Sequence, residues 1–82
     1  MGKIKKIKMR TEKWCGFDIR FVEKEGEWWA ILKDVCDALD LTENWMVNFI
    51  EPHTLTRVRL EDDYPYAVNE EGIYQMIFES RT

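Results

Sequence analysis

Few side chains in this 82-residue sequence are suited to nucleophilic or metal chemistry: two cysteines, Cys15 and Cys36, and a single histidine, His53. Covalent catalysis needs a Ser, Cys or Thr held against an oriented base. Cys36 with His53 is the conceivable pair, but Cys36 falls on the apolar stripe of a predicted helix, where a cysteine behaves as a small hydrophobe rather than a thiolate. A structural zinc site needs four ligands, and the separations of 21 and 17 residues between these three match no usual ligand spacing. Glu61, Asp62 and Asp63 are the densest acids, yet three adjacent carboxylates read as a solvated turn rather than an acid–base pair sharing a cleft. The glycines, Gly2, Gly16, Gly26 and Gly72, are isolated and form no phosphate-binding loop. The expectation is a binding module with no metal and no cofactor, not an enzyme.

Groups suited to binding are better represented. Lys3, Lys5, Lys6, Lys8, Arg10 and Lys13 face one acid, Glu12, so residues 1–13 carry +5, while the rest of the chain sets six cations against fifteen acids, or −9. Such a basic arm on an acidic body reads either as a nucleic-acid tether, since cations near phosphates release counterions, or as a solvated terminus or lysine-guarded edge strand. Arg57 and Arg59 occupy alternate positions of a predicted strand and present two fork-shaped donors on one face. They suit phosphate contacts, or else pairing with acids such as Glu70 or Asp63. Trp28 and Trp29 are adjacent in a strand and so point to opposite faces; one enters the core and the other needs a second cover, from the fold or from a partner.

The elements that position these groups follow from periodicity. Phe17, Ile19 and Phe21 alternate with Asp18 and Arg20, predicting a half-buried strand over residues 15–22. Lys24-Glu25-Gly26-Glu27 turns the chain in a loop of about four residues, and residues 28–32 return, completing a hairpin. Ile7 and Met9 alternate with Lys6, Lys8 and Arg10, so a further edge strand is expected there. The period then changes: Leu32, Val35, Cys36 and Leu39 make one helical stripe. Thr42 is a candidate N-cap for a second helix with Trp45, Met46, Phe49 and Ile50 on its apolar face, stopped by Pro52. Residues 54–60 and 66–68 read as a second hairpin. Asn69 caps a last helix, with Glu70 and Glu71 complementing its dipole, Ile73, Met76 and Ile77 facing the core, and Tyr74 and Phe78 widening that face. The fold class is therefore α+β, one small domain of two β-hairpins, with an additional N-terminal edge strand, packed with three short helices.

Two stretches together resemble a known family. Trp28-Trp29-Ala30-Ile31-Leu32-Lys33-Asp34-Val35-Cys36-Asp37-Ala38-Leu39 is similar to the aromatic strand and "A-K-D-V-C-x-A-L" helix of the BRO family N-terminal (Bro-N) domain, found in prophage antirepressors and large DNA viruses. Val68-Asn69-Glu70-Glu71-Gly72-Ile73-Tyr74-Gln75-Met76-Ile77-Phe78-Glu79-Ser80-Arg81 is similar to its "I-N-E-S-G-L-Y-x-L-I-x-R-S" segment. The basic arm or edge strand of residues 1–13 rests on charge and alternation and is not implied by the family. The resemblance, spanning roughly residues 17–81, makes residues 14–82 a Bro-N-like domain, with Trp28, Val35, Cys36, Leu39, Gly72, Ile73, Tyr74 and Ile77 as its motif residues. It implies a DNA-binding or repressor-antagonising role in phage regulation, usually beside a separate C-terminal domain, in the cytoplasm of a bacterial host. The sequence departs from the family where residues 42–51 carry no Lys or Arg, and where Leu41 follows Asp40 in place of Gly and an aromatic.

Three functions are then expected in order: an antirepressor-type regulator that binds a repressor protein, a DNA-binding transcriptional regulator using the arm with Arg57 and Arg59, and a small interaction domain of unrelated role. The acidic body favours the first, because it complements a basic DNA-reading surface and repels a polyanion. A homodimer is also compatible with a small domain carrying a bare edge strand. No stretch approaches the roughly 18 to 20 apolar residues of a membrane span, and the two cysteines without a secretory signal read as cytosolic.

Overall fold

Alternating apolar residues set the strands, and two tight turns fold them back. In the computed structural model, which describes residues 8–80, β1 (Met9–Trp14) runs into β2 (Phe17–Lys24) through Cys15 and Gly16, and β2 into β3 (Glu27–Ile31) through Glu25 and Gly26. Each turn is two residues long with both φ angles positive: 49° and 86° in the first, 54° and 79° in the second. That conformation matches the twist of a hairpin, and glycine adopts it without a Cβ clash. The expected four-residue loop is thus shorter, and Cys15, expected to open β2, sits in a turn. The edge strand lies later in sequence than expected. Lys6 falls, with Lys3 and Lys5, outside the described residues.

The two hairpins join into one sheet. After β3 the chain makes α1 (Leu32–Leu39), α2 (Glu43–Phe49) and a single 3-10 turn (Pro52–Thr54), then β4 (Leu55–Arg57), β5 (Tyr66–Val68) and α3 (Glu70–Ser80). The strand order is β1-β2-β3-β5-β4, antiparallel throughout, with Ala30 opposite Val68 and Ile31 opposite Ala67 where the hairpins meet. Under the helices the core gathers Ile19, Phe21, Ala30, Val35, Met46 and Met76 among others. On the opposite face Trp29 finds its second cover within the fold, packing with Val22, Ile31, Val58, Ala67 and Leu60 where the β4–β5 hairpin curls across the sheet.

Every helix is too short to persist alone, and hydrogen bonds fix α1 and α3 in place. The β2–β3 ladder ends at Phe21 opposite Ala30. Arg20, one residue further along β2, donates its backbone N–H instead to Asp34 Oδ2 at 3.0 Å, and its guanidinium grips both oxygens of the same carboxylate at 2.8 and 3.0 Å. Asp34 lies in the first turn of α1, where the helix dipole also favours a negative charge. The hydrogen bond to Asp34 in turn holds the Arg20 guanidinium above its ordinary pKa. Asp40 stops α1 in the left-handed conformation at φ 59°, its N–H returning to the Cys36 carbonyl. At the other end of the fold, Asn69 Oδ1 accepts the Gly72 N–H at 3.0 Å, and the Asn69 N–H donates to the Thr54 carbonyl at 3.1 Å. Gly72 is buried in that junction: a Cβ there would meet the Cβ atoms of Thr54 and Val68 at 3.1 Å and the Thr54 carbonyl oxygen at 3.2 Å.

Four aromatic placements depart from expectation. Trp45 and Phe49 on α2 are 54% and 43% exposed, and Tyr74 and Phe78 on α3 are 62% and 78% exposed, while Met46, Ile50, Ile73 and Met76 carry the buried sides of the two helices. Two apolar stripes of four and five residues are wider than one small sheet can cover, so the two aromatics of each are left outside.

Asp34→Ala is expected to lower the unfolding free energy in urea by about 2 kcal/mol, a value discounted from that of a fully buried pair because Arg20 is partly solvated. Gly72→Val should cost about 2 kcal/mol or more, since the three atoms around the missing Cβ belong to buried strand and turn residues that have little room to shift.

Candidate functional site

The curl that lets the β4–β5 hairpin cover Trp29 also determines what it shows to solvent. Beyond the regular strands the hairpin stays zipped, with Val58 N–H donating to the Pro65 carbonyl at 3.0 Å and Leu60 N–H to the Asp63 carbonyl at 2.8 Å. Val58 and Leu60 turn inward, so Arg57 and Arg59 point out. The Arg57 guanidinium lies 4.3 Å from the Tyr66 ring centre, its cross-strand neighbour, and 5.3 Å from Tyr64; Arg59 lies 5.4 Å from Tyr64. Among the described residues these cations rest on tyrosine rings rather than pairing with Glu70 or Asp63. Planar guanidiniums set over aromatic rings keep donors free at their edges.

Two shallow grooves flank this cluster. One, of about 340 Å³, has Lys24, Arg57, Arg59 and Tyr64 in its walls. Lys24 is steered there by donating to Thr56 Oγ1 at 3.0 Å and to the Arg57 carbonyl at 3.2 Å. The other, of about 290 Å³, brings Arg20, Lys33 and Arg57 together, though with Glu43 and Asp63. Alternation in the sequence points to the two arginines but not to the tyrosines beneath them, whose signal is Tyr64 and Tyr66 at the same alternate spacing across the turn.

A larger groove of about 550 Å³ opens on the helical side, between β1 to β3 and α3. Four of the motif residues named above, Trp28, Ile73, Tyr74 and Ile77, line it. Arg10 reaches into it, 4.7 Å from the Trp28 ring centre and 5.6 Å from Phe21, with Glu12 Oε2 3.0 Å from its Nη2. Lys8 lies 3.6 Å from Glu23 and Lys13 3.3 Å from Asp18. The three described cations of the arm are thus each beside a carboxylate. The other motif residues are internal: Val35 and Cys36 are buried, Leu39 packs against the core from its rim, and Gly72 closes the α3 junction.

The outer surface of α2 presents a different chemistry. Trp45 and Phe49 stack on one another, ring centres 6.0 Å apart and 21° from parallel, on a helix with an acid and no base.

The thiol and imidazole are not brought together. His53 Nε2 lies 3.0 Å from Glu71 Oε1 at the surface, whereas Cys36 is sealed in the core, where burial first and the charges of Glu43 and Asp37 second push its thiol up to about 11. Among the described residues no three His, Cys, Asp or Glu side chains gather as a metal site, and no helix is long and apolar enough to cross a membrane.

A meander of three strands, two short helices, a returning hairpin and a terminal helix closing on the first defines a small α+β domain. Residues 18–82 match the model of the BRO family, N-terminal domain, and the chain belongs to that family. Bro-N domains are associated with phage antirepressors and DNA-binding regulators. No curated protein and no solved structure matches the chain significantly.

The burial of Cys36 has a direct readout. Iodoacetamide at about pH 8 is expected to modify Cys15 in the folded chain and leave Cys36 intact, with a second equivalent taken up only after unfolding, because the thiolate is the reacting form.

Proposed function

We propose that the chain is a phage-type regulatory module without catalytic chemistry, acting by binding a repressor protein through its helical layer. The observation that carries this reading is the exposed Trp45–Phe49 stack on α2, a helix with Glu43 and no Lys or Arg. Contacts between proteins draw most of their energy from a few desolvated aromatics, with Trp and Tyr over-represented. A duplex contact from this helix would instead need cations facing the phosphates. The acids of the helical layer, Glu43 and Glu70 foremost because Asp37 lies 3.7 Å from Lys33 and Glu71 3.0 Å from His53, suit a basic partner such as the DNA-reading face of a repressor, whose approach they would steer.

A second reading rests on the opposite face. Arg57, Arg59 and Lys24 set beside Tyr64 and Tyr66 supply the cation and stacking chemistry that nucleic-acid surfaces use. With few cations engaged, such binding would be weak and would fall steeply with salt.

A reporter promoter held off by a phage-type repressor separates the two. Expression of the chain is expected to release it, and Trp45→Ala with Phe49→Ala to abolish release while Arg57→Ala with Arg59→Ala leaves it in place. In parallel, a labelled duplex titrated at about 50 mM salt should show no saturable binding. The reverse pattern, with duplex bound and the arginine pair required, would reject the protein-contact reading in favour of DNA.

A further inference from the structure

β1 is an edge strand whose outer rim is unpaired in the described fold, and its charge order is self-complementary. Its register with β2 fixes which backbone groups face out. Trp14 and Phe17 close the two-residue turn, and Glu23 N–H donates to the Lys8 carbonyl at 3.0 Å, so the even-numbered residues from Lys8 to Trp14 bond to β2. The N–H and C=O groups of Met9, Thr11 and Lys13 therefore point away from the sheet. The other edge is less available: β4 is three residues long, and one of its outward carbonyls, that of Arg57, already accepts from Lys24.

We propose that β1 pairs antiparallel with β1 of a second copy of this chain, on a twofold axis at Thr11, making one ten-stranded sheet. In that register Thr11 faces Thr11 and Met9 faces Lys13 as hydrogen-bonded pairs. Arg10 of each copy then stands opposite Glu12 of the other in the non-hydrogen-bonded positions, where side chains approach most closely. The Arg10–Glu12 contact now made within one strand, at 3.0 Å, becomes a ring of four alternating charges across two. Lys8 falls opposite the half-buried ring of Trp14, a further cation–aromatic contact. Charge also selects the register. Sliding one strand by two residues either way, the smallest shift that keeps the outward groups paired, sets Arg10 against Arg10 or Glu12 against Glu12. Charged side chains normally guard an edge against pairing; here both neighbouring registers place like charges on the twofold axis, offset in the first by Lys8 against Glu12, and the Thr11 register alone is free of such a contact. Residues 9–14 precede the stretch matched by the family, residues 18–82, so the pairing is a property of this chain and independent of the function proposed above.

Sedimentation equilibrium of the full chain from about 1 µM to 1 mM, the range in which a small interface associates, should show its mass rise to that of a dimer. Arg10→Glu and Glu12→Arg should each weaken association at least about tenfold, because like charges then face each other. An equimolar mixture of the two variants should restore it, because the paired carboxylates of one then meet only the paired guanidiniums of the other. Arg10 also packs on Trp28 and Phe21, so the unsubstituted chain supplies a second readout: amide exchange at Met9, Thr11 and Lys13 should slow with rising concentration. A chain that stays monomeric throughout, variants that associate as well as the parent, a mixture of folded variants that does not associate, or exchange at those three amides that ignores concentration would each overturn the proposal.

Discussion

The Asp34 carboxylate is the hinge on which this architecture is assembled. The chain leaves the sheet at Ile31 and enters an eight-residue helix that has no side-chain N-cap and cannot persist alone. By accepting the backbone N–H and both guanidinium donors of Arg20, Asp34 fixes the first turn of α1 against β2. The direction of α1 then determines where Val35 and Cys36 enter the core, and so the floor on which α2 and α3 rest. The carboxylate thus adds a directional tie to the apolar contacts of Leu32, Val35 and Cys36. It also satisfies a ladder amide that would otherwise lose its partner when β3 ends.

Much of this was legible in the sequence. The 3.6-residue stripe of Leu32, Val35, Cys36 and Leu39, the cap at Asn69 and the stop at Pro52 each depend on neighbours within one or two turns, and each stands in the structure as read. What escaped reading depends on partners distant in sequence. The Arg20–Asp34 grip spans fourteen residues and joins two side chains that periodicity alone assigns to solvent. The union of the hairpins through Ala30 and Val68 is invisible to local pattern. Trp45, Phe49, Tyr74 and Phe78 were misplaced for a related reason: periodicity says which side chains share a helix face but not how much sheet is available to cover them. The two-residue turn at Cys15 and Gly16 was hidden because cysteine is an unusual occupant of a left-handed position.

The candidate site was legible to a similar degree. Arg57 and Arg59 were found from alternation, and the match of residues 18–82 to the Bro-N model agrees with the two motif stretches. Their setting was not, since it comes from Tyr64 and Tyr66 across the turn. The outcome is a molecule with two chemically distinct sides. The helical side is aromatic and acidic; the sheet side gathers arginines on tyrosines.

The hairpin bearing those arginines is also the roof over Trp29, because Val58 and Leu60 are its inward residues. A molecule that bound the outer side more tightly with the roof closed would thereby favour packing of the inner side on the indole. Ligation there and closure of the minor core are therefore linked by mass action: a bound molecule would report itself through the optical signature of a tryptophan it never touches, and a loosened indole packing would be felt as lost affinity on the far side.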